Sequence, residues 1–377
     1  MKQKAKNQKT VKPKANEPIT VAILGLGRAG WDIHIHQLTG HTRFRVVEVA
    51  DADPQRRAEA VEKLGVTAYA SRDEMLKKGH AELVIVATPT PFHEADALAV
   101  CRAGRHCILE KPLGLTYRGC RKVVESFAKA GLRLFVHHQH PLSDEHVFLR
   151  QLLKSKLLGE VFEIRFNWAN YARRNDWQTL LKNGGGIWKN HGTHALSSML
   201  ELLDAPVVEL AGGRKHVKDA GDADDHSHFL LRAANGRLGD LFLTTCCAAD
   251  LPRFIVLGSA GTATAMGRDK VCLKFYNPAT APKIKVCEGA APGRAYGFPD
   301  ALEWKEEIRD LKPAEKTPSF QDGVAATLRG KARPAITPES ALEVMRILEW
   351  AATGKDPVSS KKTTPKTKPR APRTSKK

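Results

Sequence analysis

The sequence lacks a long apolar run. No stretch reaches the roughly 18 apolar residues that a membrane-spanning helix needs, so no segment is expected to cross a membrane. No apolar segment follows the N-terminal lysines and there is no twin-arginine signal, which argues against a secretory signal peptide. The seven cysteines are odd in number and form no C-x-x-C motif. This pattern argues against a disulfide framework and predicts a reducing, cytoplasmic environment.

Acidic residues are scarce relative to basic ones. The 377 residues include 60 Lys and Arg against 41 Asp and Glu, which gives a net charge of +19. Residues 1–18 carry +5 of this excess and residues 355–377 carry +8, so the body between them is only mildly basic. Both ends have too few apolar side chains to offset the entropy of ordering a backbone, and we predict that they are disordered. We expect nucleic acid to bind at most weakly, through these tails.

Up to residue 140 the body alternates short apolar segments with helical ones. Its hydrophobic fraction of 42% is that of a folded chain and excludes a wholly disordered protein. The alternation predicts a doubly wound parallel sheet of six strands. Five of these strands can be placed, at residues 19–24, 44–50, 83–87, 106–109 and 132–137, with helices at 31–38, 53–64, 92–103 and 117–130.

Beyond residue 160 strands follow one another after a single helix. The helix is predicted at 190–203, and the strands at 160–168, 207–212, 228–233, 238–245, 254–258, 263–266 and 271–275. Strands without intervening helices favour antiparallel pairing, so we expect an α+β second domain with an open, largely antiparallel sheet. Two closing helices are predicted at 320–329 and 338–353, the second of them after the cap residue Thr337.

A glycine motif joins the first strand to the first helix. Residues 25–30 read G-L-G-R-A-G, and they end 21 residues before Asp51, which follows the second strand. The first glycine permits a tight turn, the second lets the backbone approach a pyrophosphate, and the third allows close packing of helix on strand. Asp51 is expected to bind the ribose hydroxyls of a dinucleotide and to repel a 2′-phosphate. NAD is therefore favoured over NADP, although Arg56 and Arg57 lie close in sequence.

Two further segments follow strands at their carboxyl ends, where doubly wound sheets bind ligands. One contains Thr88, Pro89, Thr90 and His93, and the other reads Glu110-Lys111-Pro112. A lysine at such a position can hydrogen-bond a substrate hydroxyl and favour its alkoxide, which hydride loss requires. Lys111 is therefore a candidate catalytic residue.

Together these motifs resemble those of the Gfo/Idh/MocA oxidoreductases. The resemblance covers residues 18–355 and also includes the triple glycine at 184–186 and His194. It implies a Rossmann domain at 19–140 and a C-terminal α/β domain at 141–354, whose open sheet often forms an oligomer interface. It also implies a tightly held nicotinamide cofactor and the oxidation or reduction of a sugar, a polyol or a related carbonyl compound. A homo-oligomer, either a dimer or a tetramer, is expected.

The resemblance assigns roles to individual residues. Lys111 matches the lysine of the family's E-K-P motif, and His194 matches the histidine that exchanges a proton with the reacting hydroxyl. The implied cofactor contacts are Gly25, Leu26, Gly27, Arg28, Ala29, Asp51, Thr88, Pro89, Thr90, His93, Glu110, Lys111 and Gln139.

This chain departs from the family pattern at Asn190, where the family has an aspartate. An amide can orient a neighbour through hydrogen bonds but cannot take a proton, so we assign Asn190 an orienting role. Its spacing of four residues from His194 places both on one helix face. Altered or weakened chemistry is the alternative, with Lys189 or His191 substituting for the missing acid.

An aromatic and basic cluster precedes the triple glycine. It consists of Tyr171, Arg173, Arg174 and Trp177. Aromatic faces stack on the C–H surfaces of sugars and arginine binds hydroxyls or carboxylates, so the cluster is a candidate substrate site. The alternative is an ordinary surface loop.

Two segments are rich in histidine. Residues 137–140 read H-H-Q-H, and strand alternation separates His137 from His138 and His140, so no metal is expected there. We expect this segment to line the active-site cleft, with Gln139 or His140 nearest the nicotinamide and His140 as a substrate contact. Residues 224–228 read D-D-H-S-H and are explained by an exposed strand entry.

Two other functions remain open for a chain that resembles this family. One is an NAD-dependent glycosidase, in which transient oxidation of the sugar acidifies a neighbouring C–H. The other is a regulator that binds dinucleotide with weak catalysis or none. The basic tails and the missing aspartate favour the regulator, whereas Lys111 and His194 argue against it.

Overall fold

The fold was analysed in a computed structural model, which describes residues 17–284, 286, 288–289, 302–312 and 317–358. Most of both predicted tails, residues 1–16 and 359–377, lies outside these residues, so their disorder stays a prediction. No helix in the described part of the chain is long and apolar enough to cross a lipid bilayer.

The N-terminal half forms a six-stranded parallel sheet, as predicted. Its strands are β1 (Ile19–Leu24), β2 (Phe44–Ala50), β3 (Thr67–Tyr69), β4 (Leu83–Val86), β5 (His106–Leu109) and β6 (Leu134–Val136). Their order is β3-β2-β1-β4-β5-β6, which reverses direction between β1 and β4. The carboxyl ends of β1 and β4 therefore border the crevice where such sheets bind ligands. The sixth strand, β3, could not be placed from sequence because it is only three residues long.

Helices connect these strands and pack on both faces of the sheet. The glycine motif leads into a π-helical segment (Ala29–Ile35) that continues as α1 (His36–Leu38). The helices α2 (Pro54–Leu64), α3 (Arg72–Lys78), α4 (His93–Arg102), α5 (Tyr117–Ala130) and α6 (Asp144–Ser155) follow. Side chains of Asp53, Ser71, Thr116 and Ser143 cap α2, α3, α5 and α6 by accepting backbone N–H bonds. The sequence reasoning missed α3 and α6, although both start at such a cap residue.

The C-terminal half forms an eight-stranded sheet against one long helix. Its strands are β7 (Val161–Ala169), β8 (Val207–Lys215), β9 (His226–Ala233), β10 (Leu238–Thr244), β11 (Phe254–Gly258), β12 (Gly261–Met266), β13 (Lys270–Phe275) and β14 (Lys305–Asp310). The order is β14-β13-β12-β11-β7-β10-β9-β8. Among the described strand pairs of this second sheet, only β7–β10 is parallel and the others are antiparallel. This confirms the largely antiparallel sheet. The unpredicted strand β14 reads K-E-E-I-R-D and is mostly exposed, so no apolar pattern marks it.

One face of this second sheet packs on α7 (Ile187–Leu203), while the other is open. Along β9 the buried residues Ser227, Phe229 and Leu231 alternate with the exposed His228, Leu230 and Arg232. That alternation is typical of a half-buried antiparallel sheet. A homo-oligomer that uses the open face stays a prediction, which the molar mass in solution would test.

The two closing helices, α8 (Phe320–Leu328) and α9 (Pro338–Thr353), pack partly on the N-terminal half. Phe320, Val324 and Ala325 of α8 lie in one apolar cluster with Ile19 and other residues of the first sheet. Val344 and Leu348 of α9 join a second cluster shared by both halves of the chain. By packing on residues of the N-terminal half, these two C-terminal helices help to hold the two halves of the chain together. The boundary at residue 140 stays a prediction.

Candidate active site

A cavity of about 640 Å³ lies between the carboxyl ends of β1, β4 and β5 and the start of α7. Its lining brings together the glycine motif, the 87–93 segment, the Glu110–Lys111–Pro112 turn and Asn190. Four segments that are far apart in sequence thus meet at one place. The volume lies within the usual range for small-molecule and cofactor sites.

The three glycines of the motif occupy different environments. Gly25 has a φ of +94°, and a Cβ there would lie 2.8 Å from the carbonyl oxygen of Ala87. A Cβ on Gly30 would lie 1.9 Å from the carbonyl oxygen of Gly25, so helix and turn are in direct contact. At Gly27 a Cβ would meet, among the described residues beyond its own chain neighbours, only a guanidinium nitrogen of Arg56, at 4.0 Å. The space beside Gly27 therefore belongs to the cavity, and a pyrophosphate can approach the backbone there.

Asp51 lies beside this turn and holds it in place. Its carboxylate accepts hydrogen bonds from the backbone N–H groups of Leu26 (2.6 Å) and Asp53 (2.8 Å). The guanidinium of Arg56 lies 3.7 Å away and also lines the cavity. Arg57 instead donates to the backbone carbonyls of Asp51 and Ala52. The side chain of Leu26 is buried, and its backbone N–H already donates to Asp51. A cofactor contact of Leu26 stays a prediction.

His93 connects two loops of the site. Its Nδ1 lies 2.7 Å from the carbonyl oxygen of Pro112, and its Nε2 lies 2.7 Å from that of Thr88. The ring is buried, and burial lowers the pKa of His93. The hydroxyl of Thr88 donates in turn to Asp96. His93 thus braces the E-K-P turn against the 87–93 segment, while Thr88, Pro89, Thr90 and His93 all line the cavity.

Glu110 forms a buried network with two histidines. Its Oε1 lies 2.9 Å from His34 Nε2 and 2.6 Å from His137 Nδ1, and its Oε2 accepts the backbone N–H of Lys111. Burial alone would raise the pKa of Glu110, but the bonds to His137 and His34 hold it well below its usual value. Separations of 2.6 and 2.9 Å are hydrogen-bond lengths. This network fixes the backbone that carries Lys111.

His34 was not singled out from sequence. It lies one turn beyond the glycine motif, and nothing in the chain links it visibly to positions 110 and 137. Gln139 is a predicted cofactor contact. Its amide Nε2 lies 2.8 Å from His137 Nε2, the ring nitrogen that does not contact Glu110. Gln139 therefore extends the same network and lies outside the cavity lining.

Lys111 reaches across the cavity to α7. Its Nζ donates a 2.8 Å hydrogen bond to Asn190 Oδ1, and the Lys111–Pro112 peptide bond is cis. Burial lowers the pKa of Lys111; the charge of Glu110 opposes this shift, and the charges of Arg28 and Arg174 add to it. Asn190 Nδ2 donates to Gln178 Oε1 (3.3 Å), which also accepts a bond from Arg174 (2.6 Å). Lys111 and Arg174 are therefore bridged by two uncharged amides.

Asp224 holds the beginning of α7. Its carboxylate accepts the backbone N–H of Trp188 (2.9 Å), and its carbonyl accepts that of Ile187 (2.7 Å). A negative charge at a helix N-terminus is stabilising. Asp225 accepts three further backbone N–H groups, from Val217, Lys218 and Asp219. The expectation of an exposed strand entry was wrong here, because Asp224 and Asp225 are only 8% and 2% exposed.

His194 lies one helical turn beyond Asn190, outside the cavity lining. Its ring centroid is 4.9 Å from that of His140, which in turn lies 4.5 Å from the Trp168 ring. Burial lowers the pKa of His194 well below its usual value, and the charge of Lys111 adds to this effect. Burial likewise lowers the pKa of His140 to about 4. Both imidazoles are therefore uncharged at neutral pH.

The aromatic and basic cluster is divided by the structure. Trp177 and Arg174 line the cavity, whereas Tyr171 and Arg173 are exposed outside its lining. The Tyr171 ring lies under the ammonium of Lys218 at 5.1 Å. Substrate roles for Tyr171, Arg173, Trp177 and His140 stay predictions.

Two family models match the chain. Residues 19–138 match the oxidoreductase family with an NAD-binding Rossmann fold, and residues 146–264 match the GFO/IDH/MocA C-terminal domain. Among curated proteins, the uncharacterized oxidoreductase YdgJ of Escherichia coli is 24% identical over 89% of this chain and 95% of its own length. The inositol 2-dehydrogenase of Burkholderia cenocepacia is 33% identical over 37% of this chain, and the match covers 43% of that enzyme.

A solved structure has the same fold over most of the chain. The WlbA dehydrogenase from Bordetella pertussis, in complex with NADH and UDP-GlcNAcA, superposes with a TM-score of 0.71 at 22% sequence identity. The match covers 90% of this chain and 98% of that protein. It supports the two-part fold as a whole.

Proposed function

Since the chain belongs to the Gfo/Idh/MocA oxidoreductase family, we propose that it transfers a hydride between NAD and a sugar, a polyol or a related carbonyl compound. The observation that carries the proposal is the hydrogen bond from Lys111 Nζ to Asn190 Oδ1, made across the same cavity that the glycine motif opens into. A nicotinamide dinucleotide supplies the hydride acceptor or donor when it is bound.

The residues at one end of the cavity fit a dinucleotide. The open space beside Gly27 leaves room for a pyrophosphate, and Arg28 beside it supplies positive charge. Asp51 is placed to accept the ribose hydroxyls and to repel a 2′-phosphate, which favours NAD over NADP. Arg56 lies 3.7 Å from that carboxylate, so part of its charge is already compensated.

Lys111 is the group that we propose handles the hydroxyl proton. Its lowered pKa makes the neutral amine more accessible, and Asn190 directs the Nζ lone pair and N–H bonds within the cavity. His194, whose imidazole burial keeps neutral, lies one turn beyond Asn190 and is the second group that we propose exchanges a proton with the hydroxyl. Glu110 acts through the backbone of Lys111 and through its histidine partners, so its role is positioning.

A coenzyme and substrate panel tests this function. Purified protein is mixed with NAD or NADP and a series of sugars and polyols, and reduced coenzyme is read by absorbance. We expect turnover of at least one compound, with kcat/KM at least about tenfold higher for NAD because the carboxylate of Asp51, beside the glycine turn, disfavours a 2′-phosphate. Tight NAD binding without turnover of any compound would instead support the regulator. Release of phenol from aryl glycosides without net NADH would support the glycosidase.

Asn190→Asp is expected to shift the pH profile upward. It places a carboxylate 2.8 Å from Lys111 Nζ, and an opposite charge at that distance favours the protonated amine and raises the pKa of Lys111. The limb of kcat/KM that rises as Lys111 loses its proton should move to higher pH by about one unit or more. Asn175→Asp, which adds the same charge at an exposed position, is the matched control. An unmoved profile in Asn190→Asp would remove Asn190 from proton handling.

A further inference from the structure

The charged side chains that line the cavity are unequal in number. Five are cationic and three are carboxylates: Arg28, Arg56, Lys111, Arg174 and Lys189 against Asp51, Glu110 and Asp176. Each carboxylate already has partners. Asp51 accepts two backbone N–H groups, Glu110 contacts two histidines, and Asp176 lies 2.7 Å from Arg174. Asp176 and Asp51 partly compensate Arg174 and Arg56, and five cations against three carboxylates leave the lining with an excess of two positive charges.

This excess charge divides between the two ends of the cavity. Arg28 and Arg56 lie at the dinucleotide end, beside the glycine motif and Asp51. Lys111, Arg174 and Lys189 surround Asn190 at the other end, and we call them the cationic wall. A pyrophosphate accounts for charge at the first end only. All three residues line the part of the cavity around Asn190, which is the part that remains for the substrate.

Lys189 is the least compensated member of the cationic wall. Its ammonium makes no hydrogen bond or ion pair with any residue that the structure describes. Burial lowers the pKa of Lys189, and the charge of Arg214 lowers it further. The acids that oppose this shift, Asp224 and Glu349, are committed elsewhere: Asp224 lies 3.1 Å from Arg214, and Glu349 accepts the backbone N–H of Tyr117. A half-buried ammonium without a partner is costly unless a ligand supplies the opposite charge.

Asn190 increases this imbalance. A carboxylate at this position would neutralise Lys111 directly and repel an anion, whereas the amide does neither. The neighbouring His191 adds no negative charge, since burial lowers its pKa to about 4 and leaves it neutral. The substrate end thus has no carboxylate at position 190 to neutralise Lys111, while Arg174 keeps its ion pair with Asp176.

We propose that the substrate is an anionic sugar, a uronate or a sugar phosphate, whose charged group is bound by the cationic wall. Lys189 and Arg174 bind the carboxylate or phosphate, and Lys111 contacts the reacting hydroxyl. Trp177, which lines the same end, offers an aromatic face to the sugar ring. The expected reaction of the anionic sugar rests on the proposed function. Its binding to the cationic wall does not.

Two readouts test it on the full-length protein. In the first, D-glucuronate, D-galacturonate and glucose 6-phosphate are titrated calorimetrically into NADH-loaded protein, beside D-glucose and D-galactose. In the second, the same compounds are compared in kcat/KM with NAD. We expect at least one anionic sugar to bind and react about 10- to 100-fold better than its neutral counterpart. Raising the ionic strength should reduce the difference.

Substitutions at Lys189 locate the effect. Lys189→Met should bring the ratio of anionic to neutral affinity close to one, while Lys189→Arg should preserve most of it. Lys182→Met, at an exposed position outside the cavity lining, is the matched control and should keep the full ratio. A ratio that survives in Lys189→Met would assign the anion preference to other residues and overturn the role of Lys189.

The outcomes separate this inference from the proposed function. Equal or better binding and turnover of neutral sugars would overturn the inference and leave the proposed function intact. Selective binding of anionic sugars to the NADH-loaded protein without oxidation of any compound would support the inference and contradict the proposed function. If neither class binds, the inference fails.

Discussion

Lys111→Met is expected to lower kcat by about 10²- to 10⁴-fold while NAD still binds. Methionine has nearly the same length and shape but cannot donate to the substrate oxygen or exchange a proton. It also removes the 2.8 Å bond to Asn190 Oδ1, so the amide loses its strongest described partner in the cavity. The measurement is steady-state turnover of the best compound in the panel, together with calorimetric titration of NAD.

The control for Lys111→Met must separate lost chemistry from lost structure. Lys182→Met removes an exposed lysine outside the cavity lining and should leave both kcat and the melting temperature close to wild type. Lys111→Met should melt close to wild type as well, since Lys111 is a cavity-lining residue and its methylene stem is conserved in the variant. Wild-type kcat in Lys111→Met would exclude this lysine from the reaction.

The second large effect is expected from a pair of alanine substitutions in the glycine motif. Gly27→Ala should fold, because the nearest side chain that the structure describes beside such a Cβ is that of Arg56, at 4.0 Å. The added methyl group would occupy the space through which a pyrophosphate approaches, so the Kd for NAD should rise by about 10- to 100-fold. Calorimetry with NAD measures this change.

Gly30→Ala should instead impair folding. Its Cβ would lie 1.9 Å from the backbone carbonyl oxygen of Gly25, and a backbone atom cannot move aside cheaply. Overpacking of this severity is expected to cost about 3 kcal/mol or more of unfolding free energy. Denaturant unfolding of the two variants gives the comparison. If Gly27→Ala binds NAD as wild type does, the dinucleotide does not approach the backbone at Gly27.

The sequence predicted five of the six strands of the first sheet because these five are short, mostly apolar runs. Ile19–Leu24 and Leu83–Val86 are almost wholly buried, which is the pattern that a parallel strand between two helix layers produces. The same reasoning failed where burial is partial. The strand Thr67–Tyr69 is too short to show a period, and Lys305–Asp310 is charged along most of its length.

The site could be predicted in part, where a local motif carries the chemistry. The glycine turn and the E-K-P turn each lie within a few residues, and the structure brings them to one cavity with Asn190. Contacts between distant positions were invisible from sequence. Glu110 contacts His34 and His137 because three elements are adjacent in space: the helical segment Ala29–Ile35, β5 and β6. The burial of Asp224 depends in the same way on the start of α7.

The most direct measurement of the central claim follows the hydrogen itself. A panel compound is synthesised with deuterium on the carbon that carries the reacting hydroxyl and is turned over in the presence of NAD. The mass of the dinucleotide product is then measured by mass spectrometry. Proposed hydride transfer predicts one deuterium in the nicotinamide product and a slower chemical step with the labelled compound. Turnover that yields an unlabelled dinucleotide, with the deuterium in solvent, would contradict it.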